Sequence, residues 1–208
     1  MIVRAVSRLI IAILAAVLFA SCGGPGTPLG PPSAHDILSK PNHASLKDAH
    51  FLVTGTFASQ GITVNLKGDG ELVYQSPGAG RFKFQTLVAG QTVTFDEISI
   101  GGSDYTMTVP GNGKWVSKVS TSPLGPDSFR GASDFKYVGE ENLPAGKSWH
   151  AKAKDKDGNP FDGWIRESDG YPLKYTLTQP SIALTLSFDT FNTGVKIAAP
   201  PASEVVHS

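Results

Sequence analysis

A mainly β, exported domain is the fold class this sequence predicts. Three observations lead there. An apolar period of two dominates from His50 onward, sustained helical periodicity is scarce, and Gly, Asn, Asp and Pro turns separate the apolar runs.

The N-terminus reads as a leader. Arg4 and Arg8 give a basic start, and Leu9 to Phe19 is an apolar run of signal-peptide length. It is short for a spanning helix, which needs about 20 apolar residues. The run ends in Leu18-Phe19-Ala20-Ser21-Cys22, where small residues let a peptidase close on the backbone. This resembles the bacterial lipobox, with Phe19 standing where leucine is usual. Residues 1–21 are thus expected to be a signal peptide and Cys22 a lipidated residue. Cys22 is the only cysteine, so no internal disulfide is available, and a lipid anchor accounts for the thiol. Gly and Pro crowd the stretch from Gly23 to Pro32, which makes 22–33 a flexible tether. Residues 34–208 remain as one β domain of ordinary size.

Charge narrows the partners. The chain has 18 basic and 18 acidic residues, and loss of Arg4 and Arg8 with the leader leaves a net charge of −2. No basic stripe runs through it, which argues against nucleic acid.

The strands follow in order. Phe51, Val53, Gly55 and Phe57 alternate with polar neighbours, as do Ile62, Val64 and Leu66. Gly68-Asp69-Gly70 is expected to turn the chain into Leu72 and Tyr74. Phe82 and Phe84 come next, then Val93 and Phe95. Ile98 and Ile100 take the opposite parity, which predicts a bulge or bend near Glu97. Tyr105, Met107 and Val109 precede a Pro110–Gly113 turn into Trp115. Phe135–Val138, Ser148–Ala153 and Phe161–Arg166 read as further strands. Tyr171 to Leu177 and Ile182 to Phe188 alternate most cleanly. Ser33 caps a possible helix through Ile37 and Leu38 toward Asp48, interrupted by Pro41, while Pro123 and Pro126 leave Ser120–Ala132 room for a turn or two. About ten such strands form an antiparallel meander with one apolar face to cover. A sandwich, a barrel, or a sheet curled around a ligand cavity would each cover it.

Three stretches carry a family resemblance: Asp134–Glu141, Leu143–His150 and Gly163–Lys174. With the ending Phe188–Pro201, they resemble the LppX/LprAFG lipoproteins, which share the half-barrel of the LolA and LolB carriers. The resemblance implies a curved antiparallel half-barrel around a hydrophobic cavity, with a few short helices as lid. It further implies a carrier of acyl lipids or glycolipids with no catalytic residues. The broken leading helix and the shortened segment between Ser120 and Ala132 depart from that pattern.

Chemistry is sparse. Asp155-Lys156-Asp157-Gly158-Asn159 mimics a calcium loop, but Pro160 and Arg166 stand where glycine and glutamate are needed, so a hairpin turn is expected. The histidines His35, His43, His50, His150 and His207 lack metal-ligand spacing. Glu140 and Glu141 are adjacent on a strand and point to opposite faces. No Gly-x-Ser-x-Gly elbow occurs. Trp115, Trp149 and Trp164 are expected in the core. No cofactor, no metal and no enzymatic activity are expected.

The expected function is therefore a lipoprotein exported and anchored through Cys22. It would lie on the outer face of the cell membrane or the periplasmic side of an envelope membrane, and carry an acyl lipid or glycolipid, with an envelope transporter as a possible partner. The expected cavity lining is Phe57, Leu66, Tyr74, Phe84, Phe95, Met107, Trp115, Tyr175, Leu184 and Leu186. The alternative is a surface β-sandwich module that binds a protein or glycan.

Overall fold

The computed structural model describes residues 30–42, 44–59, 61–75, 78–120 and 131–207. The expected signal peptide, Cys22, most of the tether, and the prolines of the Ser120–Ala132 segment lie outside the described residues.

Among the described residues one α-helix precedes the strands. Ser33 caps α1 (Ala34–Ser39) by accepting the Asp36 amide at 3.1 Å, and a 3-10 turn, Lys40–Asn42, ends the helical segment. Pro41 has no N–H to continue the ladder, so the helix stops well short of Asp48.

The strands are β1 (Asp48–Ser59), β2 (Ile62–Val73), β3 (Ala79–Val88), β4 (Gln91–Ile100), β5 (Ser103–Val109) and β6 (Trp115–Val119). There follow β7 (Ser133–Leu143), β8 (Gly146–Lys154), β9 (Pro160–Arg166), β10 (Pro172–Gln179), β11 (Ile182–Phe191) and β12 (Val205–His207). They form one curved, open, 12-stranded sheet in the order β12-β6-β5-β4-β3-β2-β1-β11-β10-β9-β8-β7. Among the described strands only β12 pairs in parallel, with β6. A single sheet replaces the sandwich alternative.

Two sequence expectations need correction. Gly68-Asp69-Gly70 is not a turn but the middle of β2. A Cβ at Gly70 would run into the tip of the Phe51 ring, so glycine serves close packing there rather than chain reversal. Nor does β4 bulge near Glu97: its pairings with β3 and β5 run without a register shift. Irregularities fall instead in the β1–β11, β7–β8 and β9–β10 pairings. The expected hairpin turn at Asp155–Asn159 is present. The Asp155 carboxylate accepts the amides of Asp157 at 2.9 Å and Asn159 at 2.8 Å.

The sheet has two distinct ends. The β1–β2, β3–β4, β5–β6 and β10–β11 hairpins turn at the first. The β4–β5 and β7–β8 hairpins turn at the second, with Asp48 and Asn192. Hydrogen bonds tie that second end. Asp48 accepts from the amides of Thr193 at 2.7 Å and Gly194 at 3.1 Å. The Asn192 side-chain amide donates to Tyr171 Oη at 2.8 Å.

Candidate functional site

The candidate site is the apolar face of the sheet, and register defines it. One row runs Tyr175–Leu186–Val53–Gly68–Phe84–Phe95 across β10, β11, β1, β2, β3 and β4. Residues in one row share a face, because successive side chains alternate. The next row toward the first end holds Leu177, Leu184, Gly55 and Leu66. The one after it holds Ile182, Phe57 and Val64. Toward the second end lie Phe188, Phe51, Gly70 and Phe82.

An aromatic ladder results. Phe51 lies 5.8 Å from Phe82 and 5.3 Å from Phe188, and Tyr175 meets Phe188 edge-on at 5.8 Å. The missing side chain of Gly70, on the strand between, lets Phe51 and Phe82 meet. On β9, Gly163 does the same for the lid. A Cβ there would collide with Leu38 of α1 and crowd Tyr175, so glycine admits the helix onto the sheet. Each fully buried ring or branched side chain contributes about 1.5–3 kcal/mol relative to exposure.

Eight of the expected lining residues share this core: Phe57, Leu66, Tyr74, Phe84, Phe95, Tyr175, Leu184 and Leu186. Met107 and Trp115 do not. Phe95 pairs with Thr108 and Asp96 with Met107, so Met107 points away from the Phe95 face. Tyr105 pairs with Ser117, which puts Trp115, two residues before Ser117, on that same opposite face. Trp115 is buried there, with Ile98. Of the other tryptophans, Trp164 is buried and Trp149 half-buried.

The inner face of β4 to β6 is polar instead. Glu97 stands opposite Phe82 and Thr106, and Asp104 opposite Ser99 and Lys118. Glu97 is 4% exposed and Asp104 fully buried. Burial pushes the Glu97 carboxyl up to about 8; neighbouring Asp104 adds to the rise and Lys118 opposes it. Ser99 Oγ donates to one Asp104 oxygen at 2.8 Å, while the other oxygen has no partner.

Sequence reasoning missed a cluster on the opposite face. His150 Nδ1 lies 2.7 Å from Glu141 and Nε2 lies 2.6 Å from Asp162. The ring stacks on Trp164 at 4.1 Å, the Trp164 indole N–H donates to Glu141 at 2.9 Å, and Lys174 lies over the indole. The Trp164 bond, with help from His150, holds the Glu141 carboxyl below the usual carboxylate range. Four strands supply these groups, and the only sequence trace is that His150 and Trp164 alternate out of phase with the core residues Ala151 and Ile165. A shallow depression of about 640 Å³, lined by Ala145, Gly146, Lys147, Arg166, Glu167, Ser168 and Asp169, lies at the second end. Among the described residues no His, Cys, Asp and Glu group could hold a metal ion, and no helix is long and apolar enough to cross a membrane.

No protein-family model and no curated protein matches this sequence. Solved structures do. An uncharacterized conserved protein from Thermus thermophilus is 14% identical, with 84% of this chain and 99% of that one covered at a TM-score of 0.55. LprF from Mycobacterium bovis is 16% identical (82% and 99% covered, TM-score 0.48). The lipoprotein LppX from Mycobacterium tuberculosis is 13% identical (74% and 91% covered, TM-score 0.45). The likeness is one of fold, a long curved antiparallel sheet.

Proposed function

We propose that this protein is a membrane-anchored lipid carrier, tethered through an acylated Cys22, that holds acyl chains against the inner face of its sheet. The observation that carries this reading is the continuous apolar face from β10 across β11, β1 and β2 to β3; the described α-helix, Ala34–Ser39, packs to one side of it, on β7, β8 and β9. The mechanism is partition. Acyl chains leave the bilayer for an apolar surface of similar polarity, and the tether keeps the domain near its donor membrane. No bond is made or broken, so no catalytic group is assigned.

A second reading has its own support. The inner-face aromatics are nearly inaccessible, with Phe51 at 0% and Phe84 at 1% exposure, as in a solid core that serves a protein- or glycan-binding module. Native mass spectrometry of the processed full chain, purified in mild detergent, separates the two. A carrier shows acyl lipid bound beyond the covalent anchor. A protein that carries the anchor and nothing else overturns the carrier reading.

A further inference from the structure

Exposed apolar side chains collect at the first end of the sheet. Ile62 at the β1–β2 turn is 58% exposed, and Leu87 and Val88 at the β3–β4 turn are 63% and 39% exposed. Val109, at the end of β5, is 50% exposed. Single apolar residues are ordinary on a protein surface, but a group of them along one rim marks a contact. At the turns of the second end only Val119, among the described residues, is of this kind.

Charge divides the ends as well. The β1–β2, β3–β4, β5–β6 and β10–β11 turns (residues 59–63, 87–92, 109–114 and 179–182) contain no Asp or Glu and one lysine, Lys114. Glu140, Glu141, Glu167 and Asp169 stand at the second end with Asp48. The β8–β9 turn, also at the first end, carries Asp155 and Asp157, but it lies beside the edge strand β7, and Lys156 pairs with Asp157 at 2.6 Å.

The helix points the tether the same way. His35, in the first turn of α1, meets Phe135 edge-on at 5.1 Å, and Phe135 is two residues from Ser133, the partner of Lys154 at the β8–β9 turn. Lys40, past the last turn, lies against Gly170 between β9 and β10 at the second end. So α1 runs from the first end toward the second, and the chain from Cys22 enters at the first. A Gly- and Pro-rich chain of the length from Cys22 to Ser33 reaches about 20 Å. The sheet is longer: β2 alone, with 12 residues, spans about 40 Å. An anchor on such a tether turns the first end to the bilayer.

We infer that the first end docks on the phospholipid bilayer itself, with Ile62, Leu87, Val88 and Val109 set among the headgroups. Apolar groups held in this way sit about 5–10 Å into the boundary between headgroups and acyl chains. Turns without carboxylates suit that surface, because anionic lipids repel negative side chains. The apolar rim and the division of charge stand alone; the direction of the tether rests on the anchored reading above.

The test uses the full chain, purified from membranes and reconstituted in vesicles of phosphatidylethanolamine and phosphatidylglycerol. Each sample carries one environment-sensitive fluorophore on an added cysteine, Thr63→Cys, Gln91→Cys or Ser168→Cys, all at exposed positions. An acylated Cys22 has no free thiol to compete. Nitroxide on the lipid acyl chains should quench the labels at 63 and 91 and leave the label at 168 unchanged. Adding Ile62→Ser/Leu87→Ser should weaken quenching at 91 at least about tenfold, with the melting temperature held because both sites are exposed. Equal, weak quenching at all three positions would overturn the inference and leave the anchor standing. If the intact mass shows no acyl group on Cys22, the anchored reading falls, and the same labels on a Cys22→Ala background with vesicles added still decide the docking. Labels at 63 and 91 that become buried before any vesicle is present, more so at higher protein concentration, would assign the rim to a second copy and overturn the bilayer.

Discussion

Replacing Glu97 by Gln tests whether a carboxyl is held neutral inside the sheet. Glu97 faces Phe82 and Thr106 in register and feels Asp104 and Lys118, and its pKa is raised from 4.5 to about 8. The unfolded chain ionises this group near the ordinary value, so between about pH 4.5 and 8 the folded state binds one proton more than the unfolded state. Stability therefore falls as pH rises through that window, by about 1.4 kcal/mol per unit. Between pH 5 and pH 7.5 Glu97 alone should cost about 3 kcal/mol. In a chain of this size that corresponds to roughly 6–12 °C in melting temperature. The Glu97→Gln amide keeps the shape and removes the proton. Urea unfolding at pH 5, 6 and 7.5 should show wild-type stability dropping relative to the variant by that amount. Carboxylates that do not face Glu97 cancel in the comparison, including Glu141, Asp169 and Asp189, which are all lowered. Parallel pH profiles for the two proteins would refute the reasoning and place an ionised Glu97 in the interior.

Cys22→Ala should abolish fatty-acid incorporation and leave unprocessed precursor, as read by metabolic labelling; normal processing would end the lipoprotein proposal. Leu186→Trp adds bulk in the central row beside Tyr175 and Val53. A carrier with room for lipid should lose bound lipid at little cost to the empty protein, whereas a solid core should lose about 1–3 kcal/mol, both measurable on the same purified sample. Gly163→Val should lift α1 off the sheet, because Leu38 and Tyr175 occupy the space of the new side chain. Faster amide exchange confined to α1 and β9 is the expected signature, and unchanged protection there would show that the helix does not depend on this glycine.

Strands are legible in the sequence where one face alone is apolar. In β11, Ile182, Leu184, Leu186 and Phe188 are all buried, with Ala183, Ser187 and Asp189 exposed between them. Period two suffices for such a strand. It fails at Gly68-Asp69-Gly70, because glycine chosen for close packing looks in sequence like glycine chosen for a turn. It also fails to place His150 with Glu141, Asp162 and Trp164, since that cluster depends on how β7, β8 and β9 pair.

The instructive failure is β4. Its burial runs unbroken through Phe95, Asp96, Glu97, Ile98 and Ser99, so both faces are covered and alternation cannot say which is inside. The change of parity after Glu97 is real, yet the backbone absorbs none of it. From β4 onward the side of the sheet that carries the apolar residues switches, with Ile98, Met107 and Trp115 on one face and Glu97, Asp104 and Thr106 on the other. A bulge restores a single apolar face and would have sent Glu97 to water. A regular strand keeps Glu97 on the Phe95 face and buries it. The conflict in periodicity is thus the sequence trace of a carboxyl in the interior, and the pairing of β4 with β3 and β5 decides between the two.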